Sequence, residues 1–307
     1  MRRFALFALL FALSACAGER VPSRPDPASG ASGPAPPATP AGPDTFPGPQ
    51  STSDAQTRLG RAEPATTAAG SARTTFLATL TDLPGRPGPV SLTGTGEADF
   101  ATGRMRSIID LSGAFERPTS VGVDPSWETV SADGLVYLRA PILAELFEIE
   151  TPWVRIDASS ELLDATGLQG LAGSDSGAPL ALLAGVDEGS VLDLGPSEIE
   201  GTPTSHLRAT VDLVAAVDAL RVDGPDEAHA ALERFVESLG AGQLTLDAFL
   251  DGDDRVRRLV YEHQLPPDAG GGSQRVELEY LDFGIPIDVA PPPPHLVSEL
   301  SDALGPR

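Results

Sequence analysis

From Val90 to Leu111 the chain alternates apolar and polar residues with a period of two, and no helix can bury one side of such a pattern. Val90, Leu92, Gly94, Gly96, Ala98 and Phe100 share one face, while Ser91, Thr93, Thr95, Glu97 and Asp99 share the other. Ala101-Thr102-Gly103 supplies a turn, and Met105, Ile109 and Leu111 then alternate with Arg104, Arg106 and Asp110. The pattern predicts a long antiparallel hairpin with one buried face. That face needs a second layer to cover it.

The same period recurs along the chain. Phe76, Ala78 and Leu80 alternate with Thr75 and Thr79 in a first strand, and Trp127 to Ser131 and Leu135 to Arg139 form a second hairpin around Ala132-Asp133-Gly134. Trp153, Val154 and Ile156 make a brief strand. His206 to Leu213 places Leu207, Ala209, Val211 and Leu213 opposite His206, Arg208, Thr210 and Asp212. Leu244 to Leu250, Arg255 to Leu265 and Arg275 to Phe283 add further strands. Helical signals are fewer. Ala55 to Ala72 reads as one short helix broken at Pro64, and Ile142 to Phe147 as one or two turns. Ser159 to Val186 reads as short helices and loops that suit a lid. The clearest helix starts at Pro225, carries Asp226 and Glu227 in its first turn, repeats Ala228, Ala231, Leu232, Phe235 and Leu239 along one stripe, and stops at Gly240. Ile285 to Pro294 is proline-rich and reads as the end of the domain. Hairpins in series with helices inserted late imply an α+β fold, an antiparallel sheet with helices segregated to one face.

The N-terminus predicts the compartment. Met1-Arg2-Arg3 precedes the apolar run Phe4 to Leu13, and Leu13-Ser14-Ala15 leads into Cys16, the single cysteine of the chain. An apolar core of about ten residues is short of the roughly twenty that span a bilayer, so residues 1–15 read as a signal peptide. The segment resembles a bacterial lipobox, which implies a diacylglycerol anchor on Cys16. Residues 16–55 form a tether: Ala17 to Asp54 contains ten prolines and no apolar periodicity. As a coil this tether reaches roughly 35 Å, and at full extension on the order of 120 Å. Residues 56–290 are the expected folded domain and 291–307 a proline-rich tail. The net charge of −23 argues against a nucleic-acid partner, because phosphate binding needs a basic face. Every one of the 21 basic residues is arginine, and lysine and asparagine are absent, as in proteins of GC-rich bacteria.

Sites of common chemistry are poorly supported. Ser174-Asp175-Ser176-Gly177-Ala178-Pro179 resembles a chymotrypsin-like nucleophile segment, but the first histidine, His206, follows it rather than preceding it. Asp251, Asp253 and Glu262 sit at calcium-loop spacings, yet Arg255 and Val256 occupy the places of a ligand and the turn glycine, so a hairpin turn is the expectation. Gly94-Thr95-Gly96 lies within a strand and lacks the third glycine of a nucleotide loop. His206, His229, His263 and His295 are scattered, none at metal-ligand spacing from another. His206, beside Arg208, is the one that merits attention. No cofactor and no metal are expected.

Five stretches, in order, carry a resemblance: Asp133-Gly134-Leu135-Val136-Tyr137-Leu138, Pro152-Trp153-Val154-Arg155-Ile156-Asp157, Thr204-Ser205-His206-Leu207-Arg208-Ala209-Thr210-Val211-Asp212, Arg255-Val256-Arg257-Arg258 and Leu278-Glu279-Tyr280-Leu281-Asp282-Phe283-Gly284. With the lipobox they resemble the LppX/LprAFG family of actinobacterial lipoproteins from about Thr74 to Pro291. The resemblance implies a LolA/LolB-like fold, a curved antiparallel sheet forming a half-barrel whose helices close an apolar cavity for acyl chains. It carries over no catalytic residue. Leu207 stands where a tyrosine is expected after the histidine, and Gly252 precedes the aspartates of its hairpin.

The expectation is therefore a non-enzymatic, membrane-anchored extracytoplasmic lipoprotein, monomeric, that binds or transports lipid or glycolipid acyl chains, with an envelope transport partner possible. From strand phase, Phe100, Met105, Ile109, Val136, Leu138, Val211, Leu246 and Leu278 line the cavity or the core beneath it. The alternatives are an envelope sensor or protein-docking module of the same fold, and a lipid-processing enzyme, which lacks a visible nucleophile and base.

Overall fold

A computed structural model describes residues 53–114, 124–146, 148–157, 178–223, 226–265 and 271–299. The lipobox cysteine, residues 17–52 of the expected tether, the serine-rich segment 174–177, Pro225 and residues 159–177 of the expected lid lie outside them, whereas residues 53–55 of that tether are helical. The described chain opens with helix α1 (Ser53–Thr67) and continues through β1 (Ser71–Thr81), β2 (Val90–Asp99), β3 (Arg104–Asp110), β4 (Ser126–Ala132), β5 (Leu135–Arg139), α2 (Pro141–Leu146) and β6 (Trp153–Asp157). It resumes with α3 (Ala178–Ala181), a 3-10 turn at Leu182–Gly185, β7 (Leu192–Ile199), β8 (Thr202–Asp212), α4 (Leu213–Asp223), α5 (Asp226–Leu239), β9 (Gln243–Leu250), β10 (Val256–Gln264), β11 (Ser273–Leu281) and β12 (Val297–Glu299).

All twelve strands join one curved, unclosed sheet in the order β12-β6-β5-β4-β3-β2-β1-β11-β10-β9-β8-β7. Every pairing is antiparallel except β12 with β6. The expected α+β class and both expected hairpins, β2–β3 and β4–β5, are present. Strand β1 is the seam of the molecule: it pairs with β2 on one side and with β11 on the other, so it ties the N-terminal strands to the C-terminal ones.

The structure departs from the sequence reading at four places. Helix α1 runs through Pro64, which is not a break. Proline removes one N–H and crowds the carbonyl four residues earlier. Here that residue is the exposed Gly60, with open space around it, and Ala68 N–H still donates to the Pro64 carbonyl at 3.0 Å. Strand β7 was unexpected because Gly195 and Pro196 interrupt its pattern. Both fit because β7 is an edge strand with a bulge between Asp193 and Gly195, and Gly195 has φ +101°. Helix α4 begins where the preceding strand was expected to reach Leu213. The Asp212 carboxylate caps it, accepting from Val214 N–H at 2.9 Å and Ala215 N–H at 3.0 Å, and Leu213, Ala216 and Val217 turn one stripe into the core. Finally, Val297–Glu299, in the stretch expected as a tail, pair with Trp153–Arg155.

Two cores form on the helix-bearing, inner face of the sheet. The larger lies under α1, α3, α4 and α5 and contains Leu59, Leu180, Leu213, Leu232, Phe235 and Leu239 against Leu207, Val211, Leu246 and Leu278. The second lies on β1–β6, with Leu92, Ile109, Leu111, Trp127, Leu138, Val154 and Ile156. A small third cluster sits on the opposite, outer face, where Val289 of the C-terminal segment covers Val130, Ala132 and Tyr137. Beside it Glu128, 1% exposed, accepts from Arg106 Nε at 2.8 Å and Arg139 Nε at 2.7 Å.

Helix α1 is fastened at both ends. Near its start, Arg58 donates to Asp254 at 2.7 Å and to Ser205 Oγ at 2.8 Å, and Arg61 bonds the other Asp254 oxygen at 2.6 Å. Near its end, the fully buried Thr66 hydroxyl donates to the Ala62 carbonyl and accepts from Val256 N–H at 2.9 Å. Replacing Thr66 by valine orphans the buried Val256 N–H, so T66V is expected to lose about 1–3 kcal/mol of unfolding free energy in urea titrations. An unchanged midpoint would show that α1 is not fastened at this point.

Candidate functional site

Antiparallel register converts the two-residue period into rows of side chains that run across the inner face. One row reads Leu259, Leu278, Phe76, Gly94, Ile109, Trp127 from β10 through β11, β1, β2 and β3 to β4. The next reads Tyr280, Thr74, Gly96, Ser107, Thr129, Leu138, Val154 from β11 to β6. The third reads Ala72, Ala98, Met105, Ser131, Val136, Ile156 from β1 to β6.

All eight apolar residues expected from strand phase lie on this inner face, but they divide between its halves. Val211, Leu246 and Leu278 are 0–4% exposed and belong to the helix-packed core of β7–β11. Phe100 packs against that core from the end of β2, with its ring centroid 6.4 Å from that of Tyr280. Ile109 and Leu138 are buried on the other half, Val136 packs beside them, and Met105 is half-buried. The main helix packing on the sheet falls on β8, β9 and β10. Among the described residues, the inner face of β1–β6 is therefore the half on which the large helices do not pack, although Ile109, Trp127, Leu138, Val154 and Ile156 are buried there, and Phe76, which touches both cores, marks the border. Leu92, Trp127, Val154 and Ile156 join this half without having been singled out, although the same alternation that gave Ile109 and Leu138 contained them.

The floor between the apolar rows is low by construction. A Cβ at Gly94 would lie 2.9 Å from the Ile108 carbonyl, and one at Gly96 would lie 2.6 Å from Thr74 Oγ1. Glycine is thus required at both positions, where the neighbouring strand passes too close for a side chain.

Charged groups are kept to the outer face and the turns. His206 stacks on Phe249 with ring centroids 4.3 Å apart, and its Nε2 lies 2.9 Å from Asp247, which also accepts from Arg208 at 2.8 and 3.0 Å. Burial raises the pKa of Asp247, but the hydrogen bonds and charges of Arg208 and His206 outweigh it and hold the carboxyl below its ordinary value. His206 is a hydrogen-bonded, ring-stacked residue of the outer surface, remote in face from the apolar half. The calcium-like spacing at Asp251 is a hairpin turn, as expected: its carboxylate accepts from the N–H groups of Asp253 and Arg255 and from the guanidinium groups of Arg255 and Arg257. Among the described residues no group of three or more His, Cys, Asp or Glu side chains is placed to hold a metal ion. No described helix is long and apolar enough to cross a membrane.

No protein-family model and no curated protein matches the chain. Among solved structures it is similar to LprF from Mycobacterium bovis, at 15% identity over 78% of this chain and 98% of that one, with a TM-score of 0.42. It is also similar to the lipoprotein LppX from Mycobacterium tuberculosis, at 12% identity over 77% and 98% of the two chains, with a TM-score of 0.44. A LolA-superfamily protein from Nitrosomonas europaea matches at 10% identity over 74% and 91%, with a TM-score of 0.30. LppX and LprF are names of the group that the sequence motifs resemble, and the curved open sheet with helices on one face is the architecture which that resemblance implied.

Among the described inner-face strand residues, His263 is the histidine. Burial of His263 pulls its pKa below 6.5, and its Nδ1 has no hydrogen-bond partner. The unfolded chain then binds the proton more readily than the folded one. Stability is unaffected above the unfolded pKa and falls as the pH drops through 6.5 toward the folded value. Urea midpoints at pH 7.5 and 5.5 should differ in the wild type and differ less in H263Q; equal pH dependence in both would remove His263 as the source.

Proposed function

We propose that this chain is an extracytoplasmic lipoprotein that holds the acyl chains of a lipid or glycolipid against the inner face of β1–β6. The observation that carries the reading is the split of one apolar face into a half packed by helices and a half that the large helices leave free, built from Met105, Ile109, Trp127, Val136, Leu138, Val154 and Ile156. Such a surface binds alkyl chains by area alone, at about 0.8 kcal/mol per buried methylene, and needs no catalytic group. The helix-packed half, with Val211, Leu246 and Leu278, is the foundation that keeps the sheet rigid.

In this reading Cys16 carries the diacylglycerol anchor, and the chain from Cys16 to the start of α1 is the tether. The tether lets the protein load from the membrane that holds it. The protein acts in the envelope, as a monomer, passing its ligand to a membrane or a transport partner.

Three measurements test this. Purification from the native host with lipid extraction and mass spectrometry should find about one lipid per chain; a lipid-free protein that captures an envelope protein would favour the docking module, and turnover of an acyl ester would favour an enzyme. V136D and M105E place charge on the free half, and each should weaken binding of a long-chain fatty acyl probe by at least about tenfold, ~1.4 kcal/mol, with thermal stability nearly retained. C16S should release the protein from the membrane fraction and leave acyl binding by the purified chain unchanged.

A further inference from the structure

The middle row of the inner face is polar where its neighbours are apolar. Thr74, Ser107 and Thr129 present hydroxyls between the row of Phe76, Ile109 and Trp127 and the row of Ala98, Met105 and Val136. Two of the three are nine-tenths buried or more: Thr74 and Thr129 are each 5% exposed. Their hydrogen bonding is incomplete. Thr129 Oγ1 accepts from the Trp127 indole N–H at 3.0 Å, which uses one lone pair and leaves its own proton without an acceptor among the described residues. The Thr74 hydroxyl makes no hydrogen bond with any described residue and lies over Gly96, whose missing Cβ would stand 2.6 Å from it; its oxygen is not one of the fully buried unpartnered atoms, which among the described residues are Thr204 Oγ1 and His263 Nδ1, so it borders open space. A hydroxyl proton that has no protein acceptor on an otherwise apolar surface is available to a ligand that brings one.

We propose that the Thr74–Ser107–Thr129 row is a polar subsite that donates hydrogen bonds to the ester carbonyl oxygens of an acylated ligand. The inference rests on the lipid-binding reading and adds the chemistry that the apolar rows do not recognise. A carbonyl oxygen fits these donors because it accepts and brings no proton of its own into an apolar surface; a ligand hydroxyl would bring another donor to satisfy. Adjacent strands are about 4.8 Å apart, so Ser107 on β3 and Thr129 on β4 are spaced on the scale of neighbouring esters of one polyol, and Thr74 stands two strands from Ser107. Acyl chains leaving those carbonyls would run along the apolar rows on either side.

The unpaired donors give the proposal a signature that a structural role does not share. T74V removes a hydroxyl that has no partner in the empty protein, so it should leave the thermal stability of the empty protein unchanged or raise it, while weakening ester recognition. The experiment compares 1,2-dipalmitoylglycerol with the dihexadecyl ether of glycerol, which has chains of the same length and no carbonyls, as competitors of a fluorescent acyl probe on the mature chain. The wild type should prefer the diester by about tenfold. T74V should lower that preference several-fold with ether binding unchanged. T129V should do the same, and T129S, which keeps the hydroxyl and the indole contact, should restore it. Equal binding of ester and ether by the wild type, or a preference that survives T74V and T129V alike, overturns the subsite and leaves the lipid reading standing. Binding of neither lipid overturns the lipid reading itself.

Discussion

The structure depends on one constraint: an antiparallel ladder in which each strand keeps its neighbour's parity. From β8 to β6, through β9, β10, β11 and β1–β5, the register carries the inner face across without exchanging inside for outside. A slip of one residue in any of these pairs would send its apolar set to solvent. The irregularities sit where they do little harm. One bulge lies on the edge strand β7, and the other at Val256/Arg258 beside the Asp251 turn, which carboxylate and guanidinium groups brace.

A face that is apolar across so many strands must be covered, and the chain covers it unequally. The large helices pack on β8–β10, where Leu213, Leu232, Phe235 and Leu239 meet Leu207, Leu246 and Leu259. Helix α1 is added by Arg58, Arg61 and Thr66 more than by bulk, since the residues it buries are Ala55, Leu59, Ala62 and Thr66. The other half is braced from behind. Val289 and Val297 close the outer face of β4–β6, where the buried Glu128 carboxylate joins Arg106 and Arg139. This leaves the inner face of β1–β6 supported by its own sheet, with Gly94 and Gly96 keeping its centre shallow.

The strands were legible wherever the period of two was clean. Val90 to Leu111 and Trp127 to Arg139 formed the hairpins that their alternation predicts, and all eight residues chosen by phase lie on one face. The misreadings share a cause: local propensity gave way to position. Pro196 is tolerated in β7 because an edge strand has unpaired positions, and Pro64 in α1 because Gly60 lies opposite it on the exposed side. Asp212 reads equally well as the polar side of a strand or as a helix cap, and the capping bonds to Val214 and Ala215 resolve that only in three dimensions.

Alternation in the sequence determined that this chain is a two-faced antiparallel sheet, and which residues face inward, because a side chain's face follows from its place along the strand. The sequence also placed a single cysteine behind an apolar leader. Only the tertiary structure decided which inward residues are foundation and which belong to the free half. Leu246 and Leu138 have the same phase and the same chemistry, yet among the described residues one packs in the helix-bearing core and the other in the second core on β1–β6. That difference rests on where the helices pack, a contact between segments far apart in the chain. Nor does alternation alone align Thr74, Ser107 and Thr129 in one row. Each is an ordinary polar residue in its own strand, and register across four strands makes them neighbours.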